Sequence, residues 1–241
     1  MGQASLGVPR MGRNWISVAA AQPASLAGQL RVNVEAHADC VRRLGARPVV
    51  FPELSPTGYE LAADPIDEAC EAIEPLVAAC AETGAMALAG APVADRTSGR
   101  RIFAMLFSGR GAWVVYEKAH LGEVENGRLM RGPGAKTIVQ GRRVGLGICK
   151  DTGVSDHIAA TAALGVDLFA AGLVHHPKEL EDQDRRGAAI ARACAACRSA
   201  RALLRLAQAY SPVELEEACA TAAAIASPTR APSEAIRKAV N

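Results

Sequence analysis

Short apolar runs alternate with longer amphipathic stretches from residue 15 to about residue 175. The runs "ISVAAAQP", "RPVVFPE", "MALAGAPV", "RIFAMLFS", "AWVVYEK", "RRVGLGICK" and "VDLFAAGLV" carry continuous or alternating apolar positions and predict strands. Between them, "LAGQLRVNVEAHADCVRRLGA" has helical spacing and stops near Gly45. "DEACEAIEPLVAACAETGA" predicts a second helix, with acidic residues in its first turn where the helix dipole favours them. "SDHIAATAALG" predicts a third, with a Ser or Asp cap and a glycine stop. Strands alternating with helices predict an α/β fold in which helices shield sheets. There is no internal repeat and no low-complexity linker.

Composition narrows the class without changing this picture. The chain has 241 residues, 50% of them hydrophobic and 22% charged, an ordinary globular balance long enough to bury a sizeable core. A net charge of +2 gives no general reason to expect a nucleic acid or a membrane as partner. Seven cysteines, an odd number, and a start without an apolar secretory region predict a reducing cytoplasm rather than a disulfide framework. No run of eighteen apolar residues predicts a membrane span. Residues 1–14 read as a loose tail.

Three polar residues lie at or just beyond the ends of apolar strands: Glu53 after "VVFP", Lys118 after "VVYE" and Cys149 after "GLGI". Strand ends on a rigid sheet are where α/β proteins display chemistry. The three types make a coherent set: a thiol needs a base to become a thiolate, a carboxylate raised by burial can be that base, and a lysine can stabilise an oxyanion. Each also has a plainer reading, Cys149 as a small core residue and Glu53 with Lys118 as a structural ion pair. Cys194 and Cys197 form a CxxC, but no second ligand pair accompanies them and no metal site is expected.

Three stretches carry a family resemblance: "FPELSPTGY" around Glu53, "YEKAHLGEVENGRLMRGPG" around Lys118 and "VGLGICKDTGVSDHIAATAALGVDL" around Cys149. In this order and spacing they resemble the carbon–nitrogen hydrolase (nitrilase) superfamily over residues 15–192. The resemblance implies a four-layer α-β-β-α sandwich and a Glu-Lys-Cys site that hydrolyses non-peptide carbon–nitrogen bonds through an acyl-enzyme. It assigns Cys149 as nucleophile, Glu53 as general base and Lys118 as oxyanion stabiliser, with the backbone N–H of Lys150 assisting. Glu125 would orient substrate and lysine, with Glu123 as the competing glutamate. Tyr59 would wall the pocket, and His175 and His176 stand where the family places substrate contacts. No cofactor is implied. The partner implied is a small amide, nitrile or carbamoyl compound, and homo-oligomers are common in the family. Lys150 directly after the nucleophile suggests an anionic or polar substrate.

Beyond residue 192 the pattern changes. The stretch 193–241 is alanine-rich with helical spacing, and it predicts an added helical tail and a sandwich incomplete on its C-terminal side. Residues 198–238 resemble the helical end of certain insertion-sequence transposases. Two further readings follow, a hydrolase remnant without turnover and a binding module using the tail. The tail sets Arg198, Arg201, Arg205, Arg230, Arg237 and Lys238 against Glu214, Glu216, Glu217 and Glu234, too small an excess for strong nucleic-acid binding.

Overall fold

The computed structural model describes residues 18–44, 47–95, 99–139, 142–175 and 202–209. The first sheet has the order β1-β2-β3-β4-β5, formed by Ala19–Ala20, Val49–Val50, Ala87–Asp95, Gly99–Ser108 and Gly111–Glu117. The first three strands are parallel, and β3, β4 and β5 form an antiparallel meander. The second sheet has the order β6-β7-β8-β9, formed by Thr137–Val139, Arg143–Ile148, Leu168–His175 and Ala202–Ala209. Here β6 is antiparallel to β7, and β7, β8 and β9 run parallel.

The side-chain alternation of each strand sorts the layers. On the outer face of the first sheet, Val49, Ala87, Ala89, Met105 and Phe107 pack against α1 (Leu30–Leu44) and α2 (Glu74–Thr83). The buried stripe of α1 is Asn33, Val34, His37, Ala38 and Val41, spaced three and four apart as one helix face requires. On the inner face, Val50, Leu88, Ile102, Ala104 and Leu106 meet Val144, Leu146, Ile148, Leu168 and Ala170 of the second sheet. Helix α3 (Ser155–Ala163) covers the outer face of the second sheet, where a side chain on Gly145 would meet Thr161. The layers are therefore α-β-β-α, as the resemblance implies. The apolar run of β4 reads continuously because it is covered on both faces.

Three points of the sequence reading need correction. The helical reading of 193–241 fails at residues 202–209, which form β9 alongside β8. Alanine, leucine and arginine favour a helix in isolation, but an open parallel edge offers the backbone eight paired positions, and that tertiary context overrides propensity. Strand β6 was not expected at all, being only three residues long. The predicted second helix begins later, at Glu74, after a single 3₁₀ turn, Glu71–Ile73. The tail 1–14, the pair Cys194 and Cys197, and the tail beyond residue 209 lie outside the described residues.

Candidate active site

Glu53 follows β2 at the point where the chain leaves the first sheet. Its backbone passes between the two sheets through a pair of close approaches. A Cβ on Gly90 of β3 would lie 2.8 Å from the Leu54 nitrogen and 3.1 Å from Glu53 Cα. A Cβ on Gly172 of β8 would lie 2.5 Å from the Phe51 oxygen and 3.0 Å from the Glu53 nitrogen. Only glycine leaves room at either position. After Glu53 the chain makes a 3₁₀ turn, Ser55–Thr57, braced from behind by α1. The Asn33 amide donates to the carbonyls of Leu26 (2.8 Å) and Pro56 (3.0 Å). The His37 ring bonds the Asn33 carbonyl at 2.6 Å and the Ser55 hydroxyl at 2.8 Å, and packs on Phe51 with ring centroids 4.4 Å apart.

Lys118 leaves the end of β5 with its backbone still paired: its N–H donates to Ile102, and its carbonyl accepts from Gly132. Its fully buried ammonium donates to Glu53 Oε1 at 2.5 Å and to both oxygens of Glu125 at 2.7 and 2.8 Å. Those three bonds use all three ammonium donors. Glu125 Oε2 also accepts the Gly122 N–H at 2.6 Å.

Cys149 follows β7 as the first residue of a 3₁₀ turn, Cys149–Gly153. Its φ is 41°, a left-handed conformation that costs an ordinary residue about 1–3 kcal/mol. The other non-glycine residues with positive φ among those described are Leu54 and Tyr59, so all three left-handed residues sit at this site. The Cys149 thiol donates to the Val174 carbonyl at 3.6 Å. Among the described residues, Glu53 Oε2 is buried and meets no hydrogen-bond partner at full bonding geometry, while the Cys149 thiol acts on this carboxyl as a weak donor.

The electrostatics follow from burial. Desolvation pushes the Glu53 carboxyl up to about 7 against the pull of the Lys118 ammonium, with the Glu125 charge adding to the rise. Burial would lower Lys118, but the charges of Glu53, Cys149 and Glu125 outweigh it and hold the lysine protonated above its ordinary range. Burial and the Glu53 charge raise the Cys149 thiol, with Lys118 offsetting only part of this. The resting site is therefore a thiol beside a carboxylate that titrates near neutrality, rather than a preformed thiolate.

The structure brings Glu53, Lys118, Cys149 and Glu125 together. Glu125 is buried and Glu123 exposed, which decides between the two glutamates. Tyr59 is half-buried, and the charges of Glu53, Glu125, Lys118 and Cys149 all act on its hydroxyl. The Lys150 side chain is exposed to solvent and is not part of the cluster. His175 ends β8, but its side chain, like all of His176, lies outside the described residues. Sequence reasoning missed Asp151, which is fully buried within the nucleophile turn itself. A signal for it existed in "YEKAH", where Tyr116, Lys118 and His120 alternate on one side of a strand end and need a polar partner.

Comparison with known proteins agrees with this fold. The carbon–nitrogen hydrolase profile matches residues 17–210. No curated protein sequence matches. Among solved structures, an amidase from Nesterenkonia sp. superposes with a TM-score of 0.65 at 21% identity, covering 73% of this chain and 71% of that one. A cysteine-to-serine variant of the Nesterenkonia AN1 amidase, from the nitrilase superfamily, gives a TM-score of 0.69 at 20% identity over 82% and 78% of the two chains. A butyramide complex of a cysteine-to-alanine variant of that amidase gives 0.65 at 21% identity over 73% and 72%. With a family match spanning most of its length, the chain belongs to the carbon–nitrogen hydrolases.

Proposed function

We propose that the chain is a thiol amidohydrolase acting on small non-peptide amides through Glu53, Lys118 and Cys149. The observation that carries this is the buried Glu53 Oε2, on whose carboxyl the Cys149 thiol acts and which meets no other donor among the described residues. It is an acceptor open to that thiol on a group that titrates near 7, which suits a general base at neutral pH. Turning the thiol from the Val174 carbonyl to that oxygen sets up proton transfer.

The steps balance as follows. The Cys149 sulfur attacks the amide carbon while its proton passes to Glu53, forming a C–S bond and an oxyanion. Lys118 stabilises the oxyanion by charge and by redirecting one of its bonds from Glu125. Glu53 returns the proton to nitrogen, the C–N bond breaks and ammonia leaves. Water then attacks the thioester, with Glu53 taking its proton. The C–S bond breaks, the carboxylic acid departs, and Glu53 returns the water's proton to the sulfur. Glu125 holds Lys118 throughout, and Tyr59 lines the substrate side. The choice of amides rests on the solved neighbours: one variant of the Nesterenkonia amidase carries acrylamide added at its active-site cysteine, and a cysteine-to-alanine variant is in complex with butyramide. Strand β9 adds a fourth strand to the second sheet, which supports a formed sandwich over a remnant.

Incubation of the purified chain with butyramide and acrylamide tests the proposal. Ammonia release that Cys149→Ala abolishes is expected. A folded chain that releases ammonia from no small amide or nitrile would refute it.

A further inference from the structure

Asp151 takes no part in the steps above, yet it is fully buried and lies two residues beyond Cys149. Its Oδ1 accepts the His120 backbone N–H at 2.8 Å and the His120 ring Nδ1 at 3.0 Å. Its Oδ2 accepts the Tyr116 hydroxyl at 2.7 Å and the Ile148 backbone N–H at 2.9 Å. Four donors thus fill its four main acceptor sites. Tyr116 and His120 stand two residues before and two after Lys118, and Ile148 stands one before Cys149. A single carboxylate therefore ties the strand end that carries the ammonium to the turn that carries the sulfur.

We infer that Asp151 is a positioning residue: it fixes the Cys149 turn against the Lys118 strand end, so that sulfur and ammonium keep one separation through both half-reactions. This rests on the reading of Cys149 as nucleophile. Cys149 needs such a brace, because its left-handed backbone relaxes unless its surroundings hold it. The Ile148 N–H bond to Asp151 acts one peptide away from that strained residue. Helix α3 closes the brace from outside, where the His157 ring meets His120 edge-on at 5.5 Å and Tyr116 at 6.0 Å. His120, Asp151 and His157 are also metal-ligand types with ligand atoms within 4.8 Å of one another. The Asp151 oxygens are already filled by four donors, so the arrangement serves the protein's own N–H and O–H groups rather than a cation.

The test compares the parent with Asp151→Asn and Tyr116→Phe. Three quantities are read: the rate of Cys149 alkylation by iodoacetamide with Cys70 as internal reference, kcat and KM for butyramide, and the melting temperature. Asp151→Asn places an amide NH₂ against two donors. It should lower Cys149 alkylation and kcat by about 100-fold with KM within about twofold, the size of effect expected for a displacement of about 1 Å. Tyr116→Phe removes one of the four donors and should lower both by about tenfold. Variants that melt lower but keep the parent's alkylation rate and kcat would make Asp151 merely structural and overturn the inference. If Asp151→Asn does not fold, Tyr116→Phe decides alone by the same criterion. A zinc-induced rise in melting temperature that His157→Ala removes would also overturn it. A parent whose butyramide turnover survives Cys149→Ala would overturn the nucleophile reading and this inference with it.

Discussion

On one side of the Cys149 turn, a lysine gives its three protons to two carboxylates and leaves one carboxylate oxygen open to the thiol. On the other side, one carboxylate receives four donors and leaves nothing vacant. Both clusters are buried, so burial alone does not distinguish a reactive group from a brace. The difference lies in saturation and charge. Glu53, Lys118 and Glu125 form a set with one excess negative charge, which becomes neutral when Glu53 takes a proton. The Asp151 cluster has no vacant acceptor to receive one. A polar group left unsatisfied in a core is expensive, and its presence at one end of one carboxylate marks where a proton is meant to go.

The largest effect expected from breaking this contrast comes from Glu53→Gln. It keeps the shape and removes the base, so kcat for an amide should fall by about 10³-fold while the melting temperature stays within a few degrees. Turnover assays and thermal denaturation on the same sample check both halves. Lys118→Met comes next. It leaves Glu53 and Glu125 facing each other in the core without a counter-charge, and should lower stability by about 3–5 kcal/mol, read by urea unfolding.

A third polar group, His37 behind the Glu53 turn, sharpens the comparison through pH. Burial lowers His37 from 6.5 to about 4, with its bond to the Asn33 carbonyl opposing the shift. Between pH 6.5 and 4 the unfolded chain binds the extra proton, so His37 contributes stability that is lost as pH falls, about 3 kcal/mol in all. Glu53 acts in the opposite sense. Raised from 4.5 to about 7, it binds more protons in the folded state, so its contribution grows as pH falls from 7 to 4.5. In Glu53→Gln the His37 loss stands uncompensated, and stability should fall more steeply on acidification than in the parent. Urea titrations at pH 7, 5.5 and 4.5 measure the two slopes, and parallel slopes would contradict the assignment. The smallest effect is kinetic: kcat/KM for an amide should lose about tenfold per pH unit below about 7, as the base becomes protonated.

Much of this molecule was legible from its sequence because its catalytic candidates sit where apolar runs stop. Glu53, Lys118 and Cys149 each end a strand whose pattern is plain, and all three meet in the structure. Glu125 was harder, since Glu123 has the same chemistry two residues away, and only the fold of the loop buries one and exposes the other. Asp151 escaped notice because an aspartate followed by threonine and glycine reads as an ordinary turn. Its partners come from Tyr116, His120 and Ile148, whose proximity is created by the pairing of two sheets. Strand β9 was misread for a related reason: its residues have no strong strand character of their own, and its backbone pairs entirely with β8.

The passage of the Glu53 segment between Gly90 and Gly172 has a further consequence for how this enzyme can diverge. Each glycine belongs to a different sheet, so the acid's position is set by the spacing of the two layers and not by a flexible arm. Any change that relocates the acid must pry the sandwich apart. Divergence in such a scaffold is therefore confined to positions outside the two close approaches, because the segment between them cannot shift without both layers shifting.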